Sequence, residues 1–346
     1  CRGAGGMIRA ALVSILLLLL SACSRTEQVE TLTGFAQGTT WHVTVWQPGG
    51  VDLNTLQKHI DAEFSRLDTV LSNYRADSDI ERFNRSETTA LVEVGEEIVT
   101  LVRTARTISE ASQGCYDLTI KPLFDLWGFT GDTLTPPSPD VLAQVRQHIG
   151  FSKLSSPSGN LLQKSDPKLR VDLSSIAQGY SVSRIAAVVE AAGIQNYLVE
   201  IGGELQTRGH KPDGSPWRIG VERPLPEGRS VEKALTIGRD TPTAVMTSGT
   251  YRHYFDEQGQ RYSHILDART GRPVAHNTVS VTVVHDNPTE ADAWSTALLC
   301  LGSRNGVKVA KQQGIAALFI DTEGGQLQEV PTTAWRALKE QHIEVN

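Results

Sequence analysis

Asp292 and Thr296 stand four residues apart in Thr289-Glu-Ala-Asp-Ala-Trp-Ser-Thr-Ala-Leu-Leu-Cys300, a segment that reads as a helix. That spacing puts both side-chain oxygens on one helical face. The alternating apolar stretch Val279 to Val284 precedes them, so the pair stands where a strand hands over to a helix start rich in free amide donors. A carboxylate and a hydroxyl there suit a hard cation such as Mg²⁺. The competing reading has Thr289 as the helix cap and Asp292 as its acidic partner. Capping pairs outnumber metal sites, so the segment taken alone favours capping.

A second polar concentration lies in Met246 to Tyr254 and Arg261 to Pro273. His264 and Asp267, three apart, read singly as a core histidine and a turn carboxylate. Their company changes the balance. Ser248, Thr250, Arg252, His264, Asp267 and Arg272 together have the composition of an anion-binding, proton-handling site.

The elements that must carry these groups follow from periodicity. Thr31 to Gln47 predicts a hairpin or long strand. Asp52 caps a predicted helix with Leu53, Leu56, Ile60, Phe64, Leu67 and Leu71 at helical spacing. A polar turn, Ser72 to Asp79, exposes Tyr74, which is either a rim residue or a stacking platform for a flat ligand. Glu96 to Gln113 predicts a second amphipathic helix stopped at Gly114, and three prolines in 130–140 mark a surface loop before a short helix ending at Gly150. Leu169 to Leu173 predicts a short strand ending near Asp172. Ser175 and Gln178 then spell a capping box for a helix running to Gly193. A strand from Tyr197 to Ile201 ends in Gly202-Gly203, where backbone can approach a ligand, and two paired strands follow within 217–237. These orders predict an α+β fold rather than a doubly wound sheet.

Met7-Ile-Arg9, the apolar run Ala10 to Leu20, and Ser21-Ala-Cys23 read as a leader whose run is too short to span a bilayer as a mature helix. Met7 is the expected start. The leader is similar to bacterial lipoprotein signals, with residues 1–22 removed, Cys23 lipidated, and residues 23–30 as a tether. Ser24 after the cysteine suggests an outer-membrane fate in the periplasm. The remaining 324 residues, with 31–346 as one catalytic domain, suffice for a large core. Net charge is −6 with basic residues scattered, which excludes an electrostatic footprint for nucleic acid. Of four cysteines, Cys115 and Cys300 remain in the mature chain, where one bridge is possible. Cys300, among leucines, also reads as a small buried hydrophobe. With no CxxC or Cys/His cluster in the chain, zinc and iron–sulfur sites are disfavoured.

Val171-Asp-Leu-Ser-Ser-Ile-Ala-Gln-Gly-Tyr180, Val199-Glu-Ile-Gly-Gly203, Thr247-Ser-Gly-Thr-Tyr-Arg252, Ser263-His-Ile-Leu-Asp267 with Thr270-Gly-Arg-Pro273, and Glu290-Ala-Asp-Ala-Trp-Ser-Thr296 occur in one order. This chain resembles the ApbE-type FAD:protein FMN transferases on those blocks, with Gly38-Thr-Thr-Trp41 and Tyr116-Asp-Leu-Thr119 as amino-terminal members. The resemblance implies a T-fold-like domain of mixed, largely antiparallel sheets flanked by helices. It implies Mg²⁺-dependent cleavage of FAD's pyrophosphate, transfer of FMN to a Thr or Ser hydroxyl of an acceptor protein, and release of AMP. Implied acceptors are subunits of membrane redox complexes, of the sodium- or proton-pumping NADH and ferredoxin oxidoreductase type. By the same carry-over, Asp292, Thr296 and Ser175 are metal ligands, and relatives often fill the Ser175 position through a backbone oxygen. Gln37, Tyr74, Cys115, Tyr116, Asp117, Asp172, Gln178 and Leu266 surround FAD. His264 takes the acceptor's proton, with Asp267 orienting it or acting as the base itself. Two departures stand out: Gln178 is neutral where relatives have Lys or Glu, and Ser295 replaces an Asp. An FAD pyrophosphatase and a non-catalytic flavin-binding lipoprotein are the alternatives.

Overall fold

Alternation of apolar and polar residues builds the frame. The computed structural model describes residues 28–47, 50–129, 136–222, 231–250, 254–257 and 260–346. The leader, Cys23, Ser24 and Arg252 lie outside the described residues. Eight strands form one sheet in chain order: β1 (Glu30–Ala36), β2 (Thr39–Trp46), β3 (Asn196–Ile201), β4 (Glu204–Gly209), β5 (Arg239–Gly249), β6 (Thr278–His285), β7 (Ala316–Glu323) and β8 (Gln326–Pro331). Every neighbouring pair in it is antiparallel. Two of its turns need left-handed backbone at both central residues. Gln37-Gly38 has φ 52° and 78°, and Gly202-Gly203 has 59° and 100°, as two-residue hairpins that match strand twist require.

Side chains alternate across the sheet, and both faces are covered. Val281, Val283, Ala317 and Phe319 join Trp41, Val43 and Val45 beneath the helices. Val245, Val284, Leu318 and Ile320 face Trp217, Leu235 and Ile343, which belong to a small sheet of Trp217–Glu222, Val231–Ile237 and Ile343–Val345. The helical layer contains α1 (Leu53–Leu71), α2 (Asp79–Arg85) and α3 (Glu96–Ala111). It continues with α4 (Lys121–Trp127), α5 (Pro139–Arg146), α6 (Ser174–Ala191) and α7 (Pro288–Gln313). Asp52 caps α1 by accepting the Thr55 amide, and Leu56, Ile60, Phe64, Leu67 and Leu71 are its buried stripe. Helix α7 breaks at Gly302, φ 68° and ψ 168°. A β-carbon there would lie 2.8 Å from the His276 ring. Helices α4 and α5 form a satellite core with Leu266 and Ala268. Among the described residues no helix is long and apolar enough to cross a membrane.

The short helix expected to end at Gly150 stops at Arg146, and three further local expectations fail. Leu169 to Leu173 forms no strand; its single ladder contact is the parallel bridge Ile120 to Arg170. Asparagine side chains serve two of its other amides. Asn84 accepts the Val171 amide at 2.7 Å and donates to its carbonyl at 2.8 Å, while Asn73 accepts the Leu173 amide at 2.7 Å. The Ser175–Gln178 capping box does not form, because Leu173 is the N-cap residue and makes no side-chain cap. Thr289 does not cap α7 either. Asn287 does, accepting the Thr289 and Glu290 amides, and Pro288 fills the first helical position, where its missing donor is harmless.

Candidate active site

The start of α6 is set by Asp172, whose Oδ1 accepts the Ser174 amide at 2.9 Å and also the Ser174 hydroxyl. Burial pushes this carboxyl above the usual range, against those two bonds. Its own amide donates to Leu118 O at 2.7 Å. One residue into the helix, the Ser175 hydroxyl donates to the Tyr116 phenol oxygen at 3.3 Å. Burial raises the Tyr116 phenol well above its ordinary value, and Asp292, Asp117 and Asp172 add to that rise through their charges. Gln178, free of the capping role, donates to Ile201 O at 2.6 Å.

Helix α7 meets α6 at Gly179. The Gly179 amide donates to Asp292 Oδ2 at 2.7 Å, and a β-carbon on Gly179 would lie 2.3 Å from Pro288 O and 2.5 Å from the Asp292 β-carbon. Only glycine permits this approach. In a regular helix the Gly179 amide serves the carbonyl of Ser175, four residues back; here it gives donor capacity to Asp292. Ser175 and Gly179 share a face of α6, so Asp292 and Ser175 lie on the same side of the helix contact. Asp292 is 6 % exposed. Burial pushes its carboxyl up to about 7, partly opposed by the Gly179 amide.

One turn on, the hydroxyls form their own cluster. Ser248 Oγ lies 3.0 Å from Thr296 Oγ1 and 2.7 Å from Ser295 Oγ. Ser295 donates to Asp292 O at 2.8 Å and is fully buried. Its hydroxyl thus serves the α7–β5 packing. Neither the Ser248 contact nor the role of Gly179 follows from spacing; the signal for the latter is an isolated glycine inside a helical pattern.

The remaining candidates spread around this junction. His264 is half-buried beside buried Ile265 and Leu266. Asp267 is bound bidentately by Arg269, at 2.9 Å for Oδ1–Nε and 2.7 Å for Oδ2–Nη2, a partner that sequence reading passed over. Arg272 is exposed and paired in register with Asp267. The Asp117 carboxylate accepts the amides of Thr119 at 2.8 Å and Phe151 at 3.0 Å, so it shapes the loop into α4. The Cys115 sulfur is bonded to Cys300. The Gln37 turn, Gly202 and Gln178 converge: a β-carbon at Gly202 would lie 2.5 Å from Gln178 Nε2 and 3.0 Å from Thr39. Tyr74 stands 82 % exposed beside Asn73.

Asp292, Thr296 and Ser175 offer oxygen donors alone, with one buried carboxylate, which fits a hard divalent cation rather than zinc or iron. The ApbE family model matches residues 37–319, and this chain belongs to that family. It is 39 % identical over 308 residues to an FAD:protein FMN transferase of Vibrio cholerae, covering 88 % of this chain and 91 % of that protein. An Escherichia coli protein of the same name is 35 % identical over 306 residues, covering 86 % and 85 %. Among solved structures, the flavin transferase ApbE from Vibrio cholerae matches with a TM-score of 0.81 at 36 % identity, over 90 % of this chain and 99 % of that one. The apo flavinyl transferase ApbE of Pseudomonas stutzeri matches at 0.82 and 38 %, over 90 % and 97 %.

Proposed function

We propose that this chain is an FAD:protein FMN transferase whose reaction is seated where α6 meets α7. The observation that carries the reading is the Gly179–Asp292 contact at 2.7 Å, which holds a buried carboxylate against the α6 face that carries Ser175, while the four-residue spacing puts Thr296 on the Asp292 face of α7. Asp292, Thr296 and Ser175, through hydroxyl or carbonyl, would hold Mg²⁺. When bound, Mg²⁺ supplies charge neutralisation on the pyrophosphate. His264 receives the proton of the acceptor's Thr or Ser hydroxyl, since an ordinary imidazole titrates near neutrality. The hydroxyl oxygen bonds to the FMN phosphorus, the pyrophosphate bond breaks, and AMP leaves. Asp267, engaged by Arg269, is assigned to shaping the 266–272 turn rather than to proton transfer. Tyr74, Gln37, Gln178, Asp172 and Leu266 line the route of FAD.

The leader supports a lipid anchor at Cys23 and a periplasmic location, and the family supports subunits of membrane redox complexes as acceptors. Supplying FAD, Mg²⁺ and an acceptor domain tests the transferase reading by its stoichiometry. AMP should appear in step with protein-bound flavin; AMP matched by free FMN alone would show a pyrophosphatase instead.

A further inference from the structure

Asp292, Thr296 and Cys300 follow one another at a spacing of four along α7, so the face carrying the proposed metal ligands ends on a sulfur. That sulfur is bonded to Cys115, 185 positions away in the chain. Cys115 immediately precedes Tyr116, whose phenol oxygen receives the Ser175 hydroxyl. The Cys115 carbonyl accepts the Ala268 amide at 3.2 Å. Leu266 O lies 3.8 Å from Cys300 Sγ, and the Asp267 carboxylate reaches within 4.8 Å of both sulfurs. One cystine therefore touches three segments of the site: the α7 ligand face, the Cys115–Asp117 stretch and the 266–268 turn.

Helix α7 itself explains why a covalent tie falls here. Its regular path stops at Gly302, two residues beyond Cys300. The half-helix bearing Asp292 and Thr296 is held at its start by the Asn287 cap and the Gly179 contact. Its other end precedes a backbone break, so the rest of α7 cannot fix its orientation as a continuous helix would. The crosslink fixes that end.

We propose that Cys115 and Cys300 are positioning residues for flavin transfer, their disulfide setting the α7 ligand face against Tyr116 and the Leu266–Asp267 segment. The proposal rests on the transferase reading above. Both cysteines are buried, at 0 and 4 % exposure, and such a cystine holds geometry rather than cycling in a redox signal.

The test must separate positioning from stabilisation. A Cys115→Ala/Cys300→Val variant refills the apolar volume without the bond, and is compared with the oxidised chain at a temperature far below either melting point. KM for FAD, and the Mg²⁺ concentration that half-saturates quenching of flavin fluorescence without acceptor, should each rise about tenfold, with helical circular dichroism unchanged. A lower melting temperature with both quantities unmoved overturns the proposal, since the bond would then only stabilise. If the variant does not fold, phosphine reduction of the folded chain replaces it, each sulfur gaining one electron and one proton as the phosphine becomes its oxide. With two thiols counted, the same rises support the proposal and unchanged values overturn it. Failure of the oxidised chain to bind FAD at all removes the transferase reading, and the positioning role with it.

Discussion

Asp292 is a carboxyl whose charge is opposed by its own surroundings. Burial moves it from an ordinary 3.8 to about 7. Across that window the folded, metal-free chain keeps a proton that the unfolded chain has lost. The contribution of Asp292 to stability therefore falls as pH rises through the window and changes no further above it. Cation binding needs the ionised form, so below about pH 7 it must expel that proton. The Mg²⁺-induced rise in melting temperature should be small at about pH 6 and large at about pH 8; equal rises would remove Asp292 from the ligand set. Asn84 works at the same scale by a different means. Asn84→Ala leaves the buried Val171 amide without its acceptor, at a cost of about 1–3 kcal/mol. The shortfall should appear in urea unfolding, with weaker FAD binding because Asp172 is the next residue.

Elements defined by local pattern were legible, and those defined by distant side chains were not. The β1–β2 hairpin, the Asp52 cap and the buried stripe of α1 stand where apolar spacing put them. Leu169 to Leu173 carries an apolar alternation, yet its Leu173 and Val171 amides go to Asn73 and Asn84, 100 and 87 positions away. No window of neighbouring residues contains that information. At α7 the cap was misplaced by two residues because Thr289 and Asn287 are both competent, and Pro288 decides in favour of Asn287. The Asp292–Gly179 bond spans 113 positions, and resemblance, not spacing, raised Asp292 above the capping alternative. Gly179→Ala tests the junction. Its β-carbon must displace Pro288 O from 2.3 Å, so α6 and α7 separate and the Mg²⁺ response should vanish while helical circular dichroism persists. A variant that binds Mg²⁺ as tightly as the parent would show the close approach to be incidental.

For the molecule as a whole, helices, an eight-stranded sheet and a small second sheet make layers that leave the α6 and α7 starts together at one site. The α+β class and antiparallel order were readable because short alternating segments recur between turn residues; the cystine was readable only as a possibility. It closes a loop of 185 positions, and reduction should lower unfolding free energy by roughly 2–5 kcal/mol, measured in guanidinium with and without reductant. The central claim is that the α6–α7 junction transfers FMN. Incubated with FAD, Mg²⁺ and an acceptor domain, the parent chain should give a flavin-fluorescent acceptor band that survives denaturing electrophoresis, and Asp292→Ala, with its circular dichroism intact, should give none. An equally bright band from Asp292→Ala, or free FMN and AMP without a labelled acceptor from the parent, would contradict it.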